Sequence, residues 1–359
     1  MNIPNLAMPI ETVRGSHYEM GLQHGQAYRH VIVANIHAYA LRHDFQGTDE
    51  ESDKALEPIR RGDETFAPWV FDELRGIAEG SRVPLALITR MHLRVWNNVP
   101  RKELTPSSGG CTGIGMIAKK DGVIVGGTLD DPRQSYVLIR RIPRNGISHV
   151  QVIWAGSCWG HNGTNAAGLC LAQSSLGCTV PGLSYDNSKR RIRNSTSGRI
   201  LLERCEDVPQ ALKMLKRIQS TESLVIGDAK GNLVACQSLG GFCQAFQPAK
   251  GKQDFLFNTN HIHMPELVAK VTAAGCVPKV TEYSMTRFAT LERARASMPR
   301  TVRTMQHLLR SHAGHPNCIC NDGTVTATYA LPQSRPGVLF VADAPPCRNE
   351  FHAYELVPV

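Results

Sequence analysis

Four short stretches of this sequence carry side chains whose types and spacing could do chemistry. Gly110-Cys111-Thr112 puts a thiol at the start of an apolar run, straight after a polar segment from Pro100 to Gly110 that is rich in Pro, Ser and Gly and reads as a linker or exposed loop. Taken alone, one cysteine is a packing residue. If the Gly110–Cys111 bond is cut, however, the new terminal residue owns both a thiol nucleophile and an α-amine of pKa ~7.7–8.0, a base in the useful range. Glycine leaves its carbonyl open to the neighbouring thiol, so the bond can break by an N-to-S acyl shift followed by hydrolysis.

The other three stretches carry less. Gly113-Ile114-Gly115-Met116-Ile117-Ala118 satisfies the G-x-G-x-x-G/A pattern, with Asp130 or Asp131 placed as a ribose-binding acid. That fingerprint must follow a strand and open a helix, whereas this stretch is itself strand-like. His312, His315, Cys318 and Cys320 crowd together where zinc sites separate their ligand pairs by a longer loop, so they read as a loop with a buried thiol. His261-Ile262-His263 alternates on one strand face and offers two imidazoles to a metal hydrolase, but no third ligand set is visible. No metal is expected. The sequons at Asn162 and Asn194 carry no meaning without a secretory signal.

Composition sets the frame. A chain of 359 residues, 42% hydrophobic and 20% charged, buries a full core without disulfides, which excludes disorder and small stapled scaffolds. The first residues lack a basic start followed by an apolar stretch, and no apolar run approaches the ~20 residues of a bilayer span, so a soluble, cytoplasmic protein is expected. The odd count of 11 cysteines, including Cys158, Cys170, Cys178, Cys236 and Cys243 in apolar surroundings, points to reduced core thiols. The net charge of +9 concentrates in Lys189 to Arg193 and in Arg287, Arg293, Arg295, Arg300, Arg303 and Arg310. Without interleaved aromatics these are a solvated face or an anion site rather than a nucleic-acid surface.

Periodicity places the elements that must hold these groups. Ser16 to His43, Pro68 to Gly80 and Leu85 to Asn97 read as helices. Beyond the linker the period shortens: Cys111 to Ala118, Val123 to Thr128, Val137 to Ile142, Val150 to Ala155 and Gly168 to Gln173 read as strands. Asp207 caps a helix running to Gln219, and Ser223 to Ile226 and Leu233 to Gln237 form a hairpin across Asp228 to Gly231. Helices over Val280 to Ala296 and Val302 to His312 precede strands at Val325 to Ala330 and Val338 to Ala342. Two clusters of strands with helices on either side predict a layered α+β domain.

Eight stretches, in order, resemble peptidase family C45 of the N-terminal-nucleophile hydrolases, which includes acyl-coenzyme A:6-aminopenicillanic acid acyltransferase and is similar to the choloylglycine hydrolases. They are Gly15 to Gly25, Glu73 to Gly80, Gly110-Cys111-Thr112, Asn165 to Leu169, Thr259-Asn260-His261, Tyr283 to Phe288, His315-Pro316-Asn317 and Ala344-Pro345-Pro346-Cys347.

The resemblance implies a four-layer αββα sandwich in one domain, 1–359, a zymogen that cuts itself into an α chain, 1–110, and a β chain, 111–359. It makes Cys111 the nucleophile, Asp130 the acid that orients it, Asn260 an oxyanion donor and Arg287 an active-site cation. Thr112, Ser174 and His261 become candidates for substrate or oxyanion contacts.

The departures are specific. Thr128-Leu129-Asp130 stands where relatives have Asn-x-Asp, and the adjacent Asp131 leaves the acid open between two residues. Ser174 replaces a second asparagine, and Gln237 a frequent acid. The implied activity is hydrolysis or transfer of the acyl group of a small-molecule amide through a thioester. The alternatives are an acyl-CoA-dependent N-acyltransferase, with Lys189 to Arg193 meeting the CoA phosphates, and a non-catalytic binding relative. No cofactor, nucleic acid or membrane partner is expected. The partners are the substrate (an amide or acyl-CoA) and the protein's own fragments, and a homo-oligomer is left open.

Overall fold

The computed structural model describes residues 7–42, 49–93, 110–131, 135–176, 192, 194–218, 220–240, 242–247, 254–277 and 280–356. In chain order the elements are β1 (Ile10–Gly15), α1 (His17–Ala27), α2 (Arg29–Arg42), α3 (Asp49–Phe66), α4 (Trp69–Ser81) and α5 (Leu85–Leu93). Then come β2 (Gly110–Ala118), β3 (Gly122–Asp130), β4 (Tyr136–Pro143), β5 (His149–Trp154), β6 (Gly163–Asn165), β7 (Cys170–Ser174), α6 (Asn194–Arg204) and α7 (Val208–Arg217). The chain closes with β8 (Thr221–Gly227), β9 (Leu233–Leu239), β10 (Phe242–Phe246), β11 (Phe255–Asn258), α8 (Pro265–Ala273), α9 (Glu282–Ser297), α10 (Val302–Leu309), β12 (Thr324–Leu331), β13 (Arg335–Asp343) and β14 (His352–Glu355).

The strands form an eight-stranded sheet, β1-β4-β5-β6-β7-β8-β9-β10, and a six-stranded sheet, β11-β2-β3-β12-β13-β14. Three apolar clusters mark three interfaces. Val13, Ile139, Ile153 and Ile226 of the larger sheet meet Met20, Leu74, Ile88, Leu201 and Leu215 of the helices that cover it. Val125 and Leu129 of the smaller sheet meet Val150, Val152, Ala172 and Val225 between the sheets. Ile114, Met116, Ile124 and Phe257 lie under Leu291 of α9 and Met305 of α10. The order helix, sheet, sheet, helix is an αββα sandwich. Alternation along β2 sends Cys111 into the space between the sheets and Ile114 and Met116 toward α9 and α10.

The two amino-terminal motifs serve packing. α1 and α4 cross so closely that a β-carbon on Gly21 would lie 2.1 Å from the Glu73 carbonyl oxygen, and one on Gly80 2.2 Å from that of Leu22. Glu73, wholly buried, holds Arg141 of β4 and Arg199 of α6 at 3.1 Å each, so the helical layer is pinned to the sheet by compensated charge. Ser16 caps α1 in a capping box with Glu19.

Several expectations are corrected. The stretch from Ser16 to His43 is two helices, α1 and α2, parted at Tyr28, whose hydroxyl turns inward to the Leu138 carbonyl at 3.1 Å. Ahead of the first expected helix, residues 7–15 include β1, which pairs in parallel with β4 from Ile10↔Leu138 to Gly15↔Pro143. α10 ends at Leu309, short of His312, because Arg310 turns away to the carbonyls of Pro346 and Asn349. His261 and His263 lie on no strand: β11 stops at Asn258, and the following backbone is tied to side chains, His263 N–H to Gln237 Oε1 at 3.1 Å and Asn260 N–H to Ser284 Oγ at 2.9 Å. The sequence pattern does not single out α6, α8, β6, β10, β11 or β14. No helix among the described residues is long and apolar enough to cross a membrane.

Candidate active site

Three strand ends converge on Cys111. Gly110 at the start of β2 pairs with Asp130 at the end of β3, and Thr324, the first residue of β12, pairs with Asp130 from the other side. The linker expected before Cys111 lies outside the described residues except for Gly110, which is buried. A β-carbon at Gly110 would stand 2.5 Å from a ring carbon of Tyr283, 2.6 Å from Asn260 Oδ1 and 2.7 Å from Arg287 Nη2. Any side chain there has to displace these groups.

Arg287 comes from α9, the helix that Thr281 caps through the Ser284 N–H. Its guanidinium is completely buried, lying 4.1 Å from the ring centre of Tyr283, one turn earlier. Nη1 donates to the Cys111 carbonyl at 2.6 Å and to Thr112 Oγ1 at 2.8 Å, and Nη2 donates to Asn260 Oδ1 at 2.6 Å. The same Asn260 oxygen accepts the Cys111 N–H at 3.0 Å. Two donors on Oδ1 fix the amide's orientation, and Nδ2 consequently faces Ser175, donating to its carbonyl at 2.8 Å.

Asp130 is 3% exposed and fully engaged. Oδ1 accepts from Thr324 Oγ1 at 2.7 Å; Oδ2 accepts from Asn321 Nδ2 at 3.1 Å and from the Tyr283 hydroxyl. The neighbouring Asp131 instead accepts from Tyr136 OH at 3.1 Å. Burial pushes the Asp130 carboxyl up, against the pull of Arg287 and its three donors. Burial, followed by the charge of Asp130, pushes the Cys111 thiol up to about 12, so it stays protonated at neutral pH.

The remaining candidates take supporting positions. Ser174 is wholly buried, and its hydroxyl donates to the Thr259 carbonyl at 3.1 Å. His261 Nδ1 lies 2.8 Å from Ser284 Oγ, which accepts the Asn260 N–H, so the imidazole backs the loop that carries Asn260. Burial, then His263 and Arg287, push His261 down to about 4 and keep it neutral. Gln237 sits beneath the same loop, its Nε2 on the His261 carbonyl at 2.8 Å.

Tyr283 and Ser284 stand in the family-like stretch Tyr283 to Phe288 without a role assigned from sequence, and Asn321 and Thr324 stand in none. Tyr283 and Ser284 had a usable signal, since both lie within one helical turn of Arg287. Asn321 and Thr324 had none locally.

The two basic patches separate. Lys189 to Arg191 and Arg193 lie outside the described residues, as does Cys178. The arginine group is no common surface: Arg287 is buried, Arg295 pairs with Glu292, Arg300 with Asp254, and Arg310 with backbone carbonyls. Of the four residues weighed for zinc, only His312 and Cys320 come together, with Cys347 as their third member. None of Cys111, Asp130 or His261 belongs to that group.

A model of the family described as acyl-coenzyme A:6-aminopenicillanic acid acyl-transferase matches residues 121–328, a span that takes in Asp130, Asn260, Arg287, Asn321 and Thr324 and begins after Cys111. No curated protein sequence matches the chain. Among solved structures, a Caenorhabditis elegans N-acylethanolamine-hydrolyzing acid amidase ortholog is similar at 16% identity and a TM-score of 0.45, over 68% of this chain and 100% of that one. A mutant conjugated bile acid hydrolase from Clostridium perfringens is similar at 13% identity and 0.44, over 68% and 97%. Penicillin V acylase from Agrobacterium tumefaciens is similar at 13% identity and 0.42, over 65% and 83%.

Proposed function

This chain belongs to the acyl-coenzyme A:6-aminopenicillanic acid acyl-transferase family, peptidase family C45, a family of N-terminal-nucleophile amide hydrolases and acyltransferases, and we propose that it is a self-cutting cysteine amidohydrolase. The observation that carries the reading is the placement of Cys111 as the second residue of a strand, its N–H and carbonyl both held through Asn260 and Arg287, with Asp130 across the ladder.

In the uncut chain the Cys111 sulfur attacks the Gly110 carbonyl. The peptide C–N bond breaks, the nitrogen takes up the thiol proton, and Gly110 is left as a thioester. Water then hydrolyses the thioester, giving a Gly110 carboxylate and a Cys111 with free thiol and free amine. Fragments 1–110 and 111–359 stay in one domain, because β1 of the first is laddered to β4 of the second and α1 to α5 cover the larger sheet.

In the cut enzyme the α-amine takes the thiol proton and the thiolate attacks the substrate's amide carbonyl. Asn260 Nδ2, one N–H of which rests on the Ser175 carbonyl, turns its other to the oxyanion beside a backbone N–H. Collapse expels the amine, which leaves with the proton from the α-ammonium. Water, activated by the same amine, releases the acid from the thioester. Asp130, with Tyr283, Asn321 and Thr324 behind it, orients the ammonium.

The family's acyltransferase name supports a second reading, in which acyl-CoA supplies the acyl group and an amine replaces water. Charge reversal at Lys189 and Arg190 would then raise KM for acyl-CoA alone.

Mass spectrometry of denatured protein tests the proposal. Fragments ending at Gly110 and starting at Cys111 are expected, with Cys111→Ala remaining whole and inactive on N-acyl amides. An uncut, inactive wild-type chain would overturn it.

A further inference from the structure

Two thiols and an imidazole meet where the end of α10, the turn before β12 and the loop after β13 come together. They belong to Cys320, Cys347 and His312, and their ligand atoms all lie within 4.8 Å of one another. We propose that His312, Cys320 and Cys347 form a binding site for a zinc-type cation, with the fourth position left to water. This goes beyond the amidohydrolase reading and does not depend on it.

The donor chemistry selects the ion. Two thiolates and one imidazole suit zinc, and their charge neutralises a dication, so the buried position of Cys320 carries no uncompensated charge. In a tetrahedral zinc site neighbouring ligand atoms stand ~3.5–3.8 Å apart, so this trio must draw in by about 1 Å. His312 is exposed.

The three segments are already tied without an ion. Cys320 N–H donates to the Ser311 carbonyl at 3.0 Å, and Arg310 donates to the carbonyls of Pro346 at 3.0 Å and Asn349 at 2.7 Å. Ligands held by bonds of their own are pre-positioned. A cavity of about 550 Å³ lined by Arg303, His307, Arg310 and His312 opens beside the imidazole. A Cys320–Cys347 disulfide would use two members of the trio and leave the imidazole unexplained. His315 and Cys318, which the local spacing offered, stand outside it; the Cys318 thiol donates to the Cys320 carbonyl at 2.9 Å.

The test uses the full chain carrying Cys111→Ala, so that the nucleophile takes no metal, reduced with a phosphine and titrated with Co²⁺. The expected result is one ion per chain, a thiolate-to-cobalt charge-transfer band in the near ultraviolet, and displacement by Zn²⁺. Cys347→Ser should abolish the band. His312→Ala, an exposed change that leaves the fold intact, should weaken binding by ~10-fold or more, and Cys276→Ser should change nothing. Three results would overturn the proposal: less than one ion per chain, His312→Ala binding as tightly as its parent, or a Cys320–Cys347 disulfide whose reduction yields no metal uptake.

Discussion

Arg287 donates to the carbonyl oxygen of Cys111 and to Oδ1 of Asn260, each at 2.6 Å, from the two terminal nitrogens of one buried guanidinium. A single planar cation thus fixes the backbone of the reacting residue and the amide beside it. Arg287→Lys keeps the charge and loses the fork. Self-cutting should slow by ~10²-fold or more, the scale of losing an oriented donor, and acceptors left unpaired in the interior should cost ~2–4 kcal/mol of stability. The time course of fragment formation and a denaturant titration measure the two separately.

Gly110→Ala is expected to fold and remain uncut. Its methyl group has to enter a space where atoms of Tyr283, Asn260 and Arg287 lie at 2.5–2.7 Å, displacing the groups that hold the bond. Denaturing electrophoresis decides: fragments appearing at the wild-type rate would contradict the close fit.

Tyr283→Phe keeps the ring beneath Arg287 and removes one donor from Asp130, leaving those of Thr324 and Asn321. Fewer donors to the ionised form raise a carboxyl's pKa. The acid limb of kcat against pH should move to higher pH, with kcat down ~10-fold. An unchanged limb would detach the hydroxyl from the acid's ionisation.

Glu222 of β8 offers a stability test away from the site. Burial raises it from 4.5 to about 7 despite donors from Ser197, Ser220 and Gln173. The folded state therefore holds a proton that the unfolded chain has released. The stabilisation is complete below pH 4.5 and is lost as pH rises through about 7, up to ~3 kcal/mol in all. Glu222→Gln should flatten that part of the stability curve, as followed by urea unfolding across the window.

Strands of the smaller sheet were legible because β2, β3, β12 and β13 are apolar runs bounded by turn residues, and α4 because its apolar spacing is helical. β1 was not, since its partner β4 lies far along the chain and Ile10–Gly15 alternates too weakly to stand apart from the helix it precedes. Within the site, Cys111 and Arg287 were reached through motif resemblance, and the position of glycine before a linker-borne thiol gave the first an independent chemical meaning. Asn321 and Thr324 were invisible because their role exists only once β12 lies against β3. Cys347 shows only as the end of the family-like stretch Ala344 to Cys347, for the same reason: it reaches His312 and Cys320 from beyond two strands.

The carboxylate of Asp130 meets Tyr283, Asn321 and Thr324 across 153, 191 and 194 residues of chain. A ribosome releases Cys111 long before it has made any of the three. The clamp on the Cys111 backbone, Asn260 and Arg287, likewise lies 149 and 176 residues further on, so under the proposed chemistry a chain ended before them is expected to remain one silent piece. Such a cut would report that the later part of the molecule has closed on an earlier one.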